Sequence, residues 1–233
     1  MRHTRTFFIT GTDTEVGKTV TTVALLRAAN RQGLMTAAFK PVAAGCDLME
    51  GGLCNQDVLM LQENASIRQA YDESVGFCFE PPIAPHIAAE ETGTVIDFKV
   101  LSDGLDHLQQ TDADLILVEG AGGWRLPVGH GHFLSDWVRH ENLPVILVIG
   151  AQIGCLNHAM LTYEAILRDH LPLAGWCINR IHPDMSHYQQ NLDTLRSMIA
   201  EPFLGEIPYL ARPFESDLGH YLDISPLLNG PWG

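Results

Sequence analysis

An apolar stretch, Thr6–Thr10, runs into Gly11-Thr12-Asp13-Thr14-Glu15-Val16-Gly17-Lys18-Thr19, and a run of helical period follows. A strand, a glycine-rich loop and a helix in that order turn successive backbone N–H groups inward. The helix N-terminus adds partial positive charge, and together these groups suit the β- and γ-phosphates of a nucleotide. Lys18 adds a full charge there, and the Thr19 hydroxyl is placed to bind Mg²⁺. The common spacing G-x-x-x-x-G-K-[ST] is lengthened by one residue between Gly11 and Gly17.

Such a loop needs a carboxylate on a second strand for the metal. The run Leu115–Val118 supplies Glu119, and the small residues Gly120-Ala121-Gly122-Gly123 leave room for a ligand. Lys40 follows Thr36–Phe39 and precedes Pro41, so its ammonium is expected at the same sheet edge, facing the phosphates. Asp57 begins a helix after Asn55; taken alone it reads as a first-turn acid favoured by the helix dipole. Gly154-Cys155-Leu156-Asn157-His158 opens a helix whose free N–H groups suit a carboxylate, and equally suits a plain turn. His86, His130 and His132 have no spaced carboxylate partner and read as structural.

These residues need a frame that brings strand ends together. Short β-rich runs alternate with helical segments, the pattern of a parallel sheet covered on both faces. Strands are predicted at Thr6–Thr10, Thr36–Val42, Asp114–Glu119, Pro144–Gly150, Ala174–Asn179 and Leu204–Pro208, with a weaker one at Val75–Phe79. Helices are predicted at Lys18–Asn30, Gln56–Glu63, Phe98–Gln110, Phe133–Glu141, Cys155–Asp169 and Tyr188–Ile199. The expectation is one α/β domain over residues 1–233, with about seven mostly parallel strands and ligands bound beyond their carboxyl ends.

The formal charge of −14 repels nucleic acid and anionic lipid, so polyphosphate must be held locally. The five cysteines form no C-x-x-C pair and indicate neither a zinc site nor a disulfide framework. The apolar stretch before Gly11 is too short for a secretory signal core, and no apolar run has the length of a membrane span. A cytoplasmic protein is expected, binding neither nucleic acid nor membrane.

Gly11–Thr19, Lys40-Pro-Val-Ala43, Val118-Glu-Gly-Ala-Gly-Gly-Trp124, Leu143-Pro-Val-Ile-Leu-Val148, Gly154–His158 and Gly205-Glu-Ile-Pro208 together resemble the dethiobiotin synthetases of biotin biosynthesis, over nearly the whole chain. The longer glycine spacing is that family's own form. The resemblance implies a homodimer that converts 7,8-diaminononanoate, CO₂ and ATP to dethiobiotin, ADP and phosphate. It implies Lys18, Lys40 and Thr14 as catalytic residues and Thr19, Asp57 and Glu119 as Mg²⁺ ligands. Nucleotide contacts fall on Glu15, Val16, Gly17, Lys18, Thr19 and Val20, on Asp57, and on Glu119, Gly120, Ala121 and Gly122. Asn179 becomes the adenine reader, with Arg180, Pro208, Tyr209, Leu210 and Glu215 completing the nucleoside pocket. Ala44 borders the substrate, and Gly154, Cys155, Leu156 and Asn157 cradle its carboxylate across the dimer interface.

Two positions depart from the family pattern. Ala44 stands where a serine is common, so a water or Thr14 replaces that hydroxyl or the substrate differs. Pro82-Ile83-Ala84 stands before Pro85-His86 where hydroxyl residues are common. Two competing readings share the loop. Amide-forming synthases of cobalamin assembly usually add a glutaminase domain, which is not expected here. Nucleotide-switch ATPases often carry a further lysine early in the loop, where this chain has Thr12-Asp13.

Overall fold

The computed structural model describes residues 4–232. From the N-terminus run β1 (Arg5–Gly11), α1 (Lys18–Arg31) and β2 (Thr36–Ala44). A hairpin of β3 (Asp47–Met49) and β4 (Gly52–Cys54) precedes α2 (Gln56–Asn64), β5 (Val75–Phe79), α3 (Pro85–Thr92) and α4 (Phe98–Gln109). Next come β6 (Leu115–Gly123), a second hairpin of β7 (Pro127–Gly129) and β8 (His132–Phe133), α5 (Leu134–His140) and β9 (Val145–Gly150). The chain continues through α6 (Cys155–Arg168), β10 (Leu173–Asn179), α7 (Tyr188–Met198), β11 (Phe203–Ile207) and α8 (Ser225–Asn229).

Seven strands form one sheet in the order β11-β10-β9-β1-β6-β2-β5, and every pairing in it is parallel. Strand β1 stands between β6, whose neighbours lie on one side, and β9, whose neighbours lie on the other. The winding direction reverses there, so a crevice opens beyond its carboxyl end. The glycine loop leaves β1 at that point.

The central strands are apolar on both faces because both are covered. Leu115 and Leu117 of β6 pack with Val23, Leu25 and Leu26 of α1. Ile116 and Val118 point the other way, into the layer of Leu101 and Leu105 from α4, Trp137 from α5 and Ile166 from α6. Alternation of side chains along a strand makes this division. Each such side chain, fully removed from water, contributes about 1.5–3 kcal/mol before entropy is counted.

All seven expected sheet strands are present, the weaker Val75–Phe79 included, but three run past their expected carboxyl ends. β1 continues past Thr10 to Gly11, β2 past Val42 to Ala44, and β6 past Glu119 to Gly123. The pairing of β2 with β6 stops at Phe39 and Val118, so Pro41, which has no N–H, falls where no bond to β6 is required. The register of β6 against β1 is broken between the pairs Ile9/Glu119 and Gly11/Gly123, so β6 bulges beside the glycine loop. Both hairpins, α3 and α8 were not anticipated. Helix α3 begins at Pro85, a residue suited to a first helical position, and ends at Gly93 with φ 66°. Helix α5 starts at Leu134, one residue later than expected, because Phe133 serves as its extended cap residue and donates its N–H to Asp136 Oδ2 at 2.8 Å.

Candidate active site

The loop between β1 and α1 is shaped by two left-handed residues, Glu15 at φ 60° and Gly17 at φ 86°. A Cβ at Gly17 would fall 1.7 Å from Asn179 Nδ2, and one at Gly11 would fall 2.5 Å from Val16 Cγ2. Asn179 Nδ2 donates to Val16 O at 3.0 Å, tying the end of β10 to the loop. Thr12 N–H donates to Val148 O at 3.0 Å, tying it to β9. Gly17 is therefore demanded by close packing of the loop on β10, and Gly11 by packing of the loop on itself.

Lys18 begins α1 and curls back so that Nζ donates to Asp13 O at 3.1 Å. Burial, then the nearby Lys40 ammonium, pushes its pKa down to about 8. Lys40 is itself buried. Its Nζ lies 2.7 Å from Glu119 Oε1 and 3.0 Å from Asp57 Oδ2. Burial alone would lower the Lys40 pKa, but Glu119 and then Asp57 outweigh it and raise the ammonium above its ordinary value. Burial likewise opposes the charged form of Asp57, yet Lys40 holds that carboxyl below the usual range.

Thr19 Oγ1 is 2.9 Å from Asp57 Oδ1 and 3.0 Å from Glu119 Oε1. Glu119 is fully buried, and its second oxygen, Oε2, accepts from Thr22 Oγ1 at 2.7 Å. Asp57 stands in the first turn of α2, where Asn55 Oδ1 accepts its N–H at 3.0 Å. A hydroxyl and two carboxylates from three elements thus converge beside two lysines. Oxygen donors of this kind fit Mg²⁺, which takes few protein ligands and keeps waters.

A cavity of about 790 Å³ opens over this cluster. Thr14, Lys18, Thr19, Lys40 and Asp57 give it a polar side, Ala44 also lines it, and Pro82–Pro85, Leu126 and Phe214 form an apolar wall. Ala121 and Gly122 lie at its edge, and Thr14 Oγ1 is 3.9 Å from the position a Cβ would take on Gly122. A smaller cavity of about 200 Å³ adjoins it at Glu15, Gly17 and Val20, and is closed by Asn179, Arg180, Pro208, Tyr209 and Leu210.

Three groups of expected site residues lie elsewhere. Glu215 is exposed and pairs with Arg212 at 3.4 Å, while its neighbours Phe214 and Pro213 face the two cavities. Gly120 and Val16 are packed inside, Gly120 against Phe8 and Ile9. Gly154, Cys155, Leu156 and Asn157 open α6 away from the cavity of their own chain, beside Ile153, which is 96% exposed. His130 and His132 sit on the exposed second hairpin, and His86 in the first turn of α3.

Sequence reasoning missed Thr22, which holds Glu119 from one turn along α1, and the cap role of Asn55. Asn before Gln56-Asp57 is a helix-start signal that could have found the latter. The apolar wall carried no periodic signal.

A parallel sheet whose switch point carries a glycine loop, with one lysine in it and a buried carboxylate opposite, defines a P-loop nucleotide-binding protein. A family model described as an AAA domain matches residues 5–213. The chain belongs to the ATP-dependent dethiobiotin synthetase family. It is 60% identical to the BioD protein of that name from Tolumonas auensis, over 96% of this chain and 99% of the relative. It is 55% identical to the Aeromonas hydrophila protein over 96% of this chain and 99% of that one. With the Salmonella typhimurium BioD 1 it shares 48% identity over 96% and 98%. Among solved structures it is similar to a ParA family ATPase from Chlorobium tepidum, with a TM-score of 0.54, 16% identity and coverage of 99% and 95%. MinD from Aquifex aeolicus gives a TM-score of 0.54 at 16% identity, covering 94% of this chain and 88% of the other. At that identity the likeness is one of fold alone.

Among the described residues, no helix is long and apolar enough to cross a membrane.

Proposed function

We propose that this chain makes dethiobiotin from 7,8-diaminononanoate, CO₂ and ATP, releasing ADP and phosphate. The observation that carries the reading is the convergence of Lys18 and Lys40 on one cavity with Thr19, Asp57 and Glu119 at its base. One substrate amine adds to CO₂, giving a carbamate. A carbamate oxygen attacks the γ-phosphorus, the bond to the β-phosphate oxygen breaks, and ADP leaves. The second amine then attacks the carbamate carbon, closing the five-membered ureido ring as phosphate departs.

The carbamate and the γ-phosphate are both anions, and bringing them together is the main barrier that positioning and charge can lower. Lys40 is assigned to lie between them, and Lys18 with the loop N–H groups to hold the phosphates. Thr14, which lines the cavity, is assigned to the reacting end of the substrate, near Ala44. The apolar wall at Pro82–Pro85 and Leu126 suits the aliphatic chain. Asn179, Arg180 and Pro208–Leu210 are assigned to the nucleoside. Thr19, Asp57 and Glu119 would hold Mg²⁺, whose charge neutralises the phosphate oxygens when it is bound.

The substrate carboxylate is assigned to Gly154–Asn157 of a second copy in a homodimer. The exposed Ile153 and Leu161, at 96% and 59%, support an interface at this end of α6. We further infer a single cytoplasmic domain. The test is to incubate the purified protein with diaminononanoate, bicarbonate, Mg²⁺ and ATP and to look for dethiobiotin by mass. Absence of product with nucleotide binding intact overturns the substrate assignment.

A further inference from the structure

We infer that Asn55 is a positioning residue that holds the Asp57 carboxylate in register with the strand bearing Lys40, and so sets the affinity of the site for its divalent metal. The inference rests on the metal reading proposed above. Asn55 is 7% exposed and precedes α2. Its Oδ1 accepts the Asp57 N–H at 3.0 Å, its Nδ2 donates to Ala44 O at 3.2 Å, and its main-chain N–H donates to Tyr71 Oη at 2.7 Å.

An ordinary helix cap needs only the first of these bonds. The second reaches the last residue of β2, so one side-chain amide fastens the helix that carries Asp57 to the strand that carries its counter-ion. The third fixes the backbone of Asn55 through a phenol whose oxygen is 3.2 Å from Cys78 Sγ on β5. Helix start, strand β2 and strand β5 are thereby held to one another at a single residue.

The two carboxylates differ in how much support they need. Glu119 is buried in the central sheet and gripped by Thr22. The Asp57 side chain is 44% exposed and stands on the first turn of a nine-residue helix. Its direction follows that of the turn. A small rotation of the turn would carry Oδ2 away from Lys40 Nζ, at 3.0 Å, and Oδ1 away from Thr19, at 2.9 Å. Groups that orient metal-bound carboxylates from outside typically carry 10–100-fold in metal affinity.

Serine at this position keeps an oxygen for the Asp57 N–H but has no amide to reach Ala44. Asn55→Ser, Asn55→Ala and Asp57→Asn are compared with the wild type by thermal unfolding without ligand and by Mn²⁺ binding to the ADP complex, followed by electron paramagnetic resonance. Asn55→Ser is expected to melt near the wild type yet bind Mn²⁺ on the order of 10-fold more weakly or worse, with activity recovering at high metal. Asn55→Ala loses both stability and affinity. Asn55→Thr, the other short cap, serves if the serine variant unfolds. Wild-type Mn²⁺ affinity in the short-cap variant makes Asn55 a helix cap only and overturns the inference. If Asp57→Asn weakens Mn²⁺ and Asn55→Ser does not, the positioning role alone fails. If Asp57→Asn binds Mn²⁺ as the wild type does, the metal reading fails and this inference with it.

Discussion

The ammonium of Lys40 lies 2.7 Å from Oε1 of Glu119, with both side chains buried and the two residues 79 positions apart in the chain. A buried carboxylate is stable only with a partner, and removing one member of such a pair typically costs about 3–5 kcal/mol. The pair therefore ties stability to the same group that is assigned to the reacting anions.

Lys40→Gln is expected to lower the melting point and to reduce kcat on the order of 100- to 1000-fold. Nucleotide Kd should change far less, because Lys18 and the loop N–H groups remain. Unchanged kcat would return Lys40 to a purely structural role, and loss of nucleotide binding alone would make it a phosphate anchor.

Gly17→Ala should abolish nucleotide binding while leaving the sheet folded. The new methyl group would land 1.7 Å from Asn179 Nδ2 at a φ of 86°, so either the loop or Asn179 must shift. Titration with a fluorescent nucleotide measures the effect; wild-type Kd would mean that the loop tolerates displacement from β10.

Ile153→Asp places a charge at a residue that is 96% exposed in one chain, next to the N-terminus of α6. In the proposed homodimer it should lower dimer content and activity together, as read by analytical ultracentrifugation and assay at matched concentrations. Full activity in a monomeric variant contradicts the shared site.

The Cys177 thiol, buried in β10, is pushed by that burial from the usual 9 up to about 12. The folded chain keeps this proton where the unfolded chain loses it. The contribution to stability is thus fully present below pH 9 and declines as pH rises toward 12. The urea midpoint should fall between pH 9 and 10.5, and less steeply in Cys177→Ala. Equal slopes in the two proteins would show that Cys177 does not carry the effect.

The strands at Leu115–Val118 and Val145–Ile149 were legible because burial on both faces leaves an unbroken apolar run. Strands β2 and β6 outran the expected ends at Val42 and Glu119 because the tertiary structure supplies pairing partners further on, Phe79 of β5 for Ala44 and Gly11 of β1 for Gly123. The hairpins at Asp47–Cys54 and Pro127–Phe133 have too few residues to show a period. The start of helix α3 is masked in the sequence by its proline-rich approach, Pro82–Pro85.

The amino-acid sequence alone determined the phosphate loop, since a turn between a strand and the helix that follows depends on consecutive residues: two glycines, a lysine and a threonine in fixed order. It also determined the parallel α/β class, through the alternation of apolar runs with helical periods. Only the tertiary structure decided that Lys40, Asp57 and Glu119 meet and that Thr22 holds Glu119. Those contacts join residues on different elements, separated by as many as 97 positions. Their distances are set by how helices pack on a twisted sheet, which no local spacing encodes.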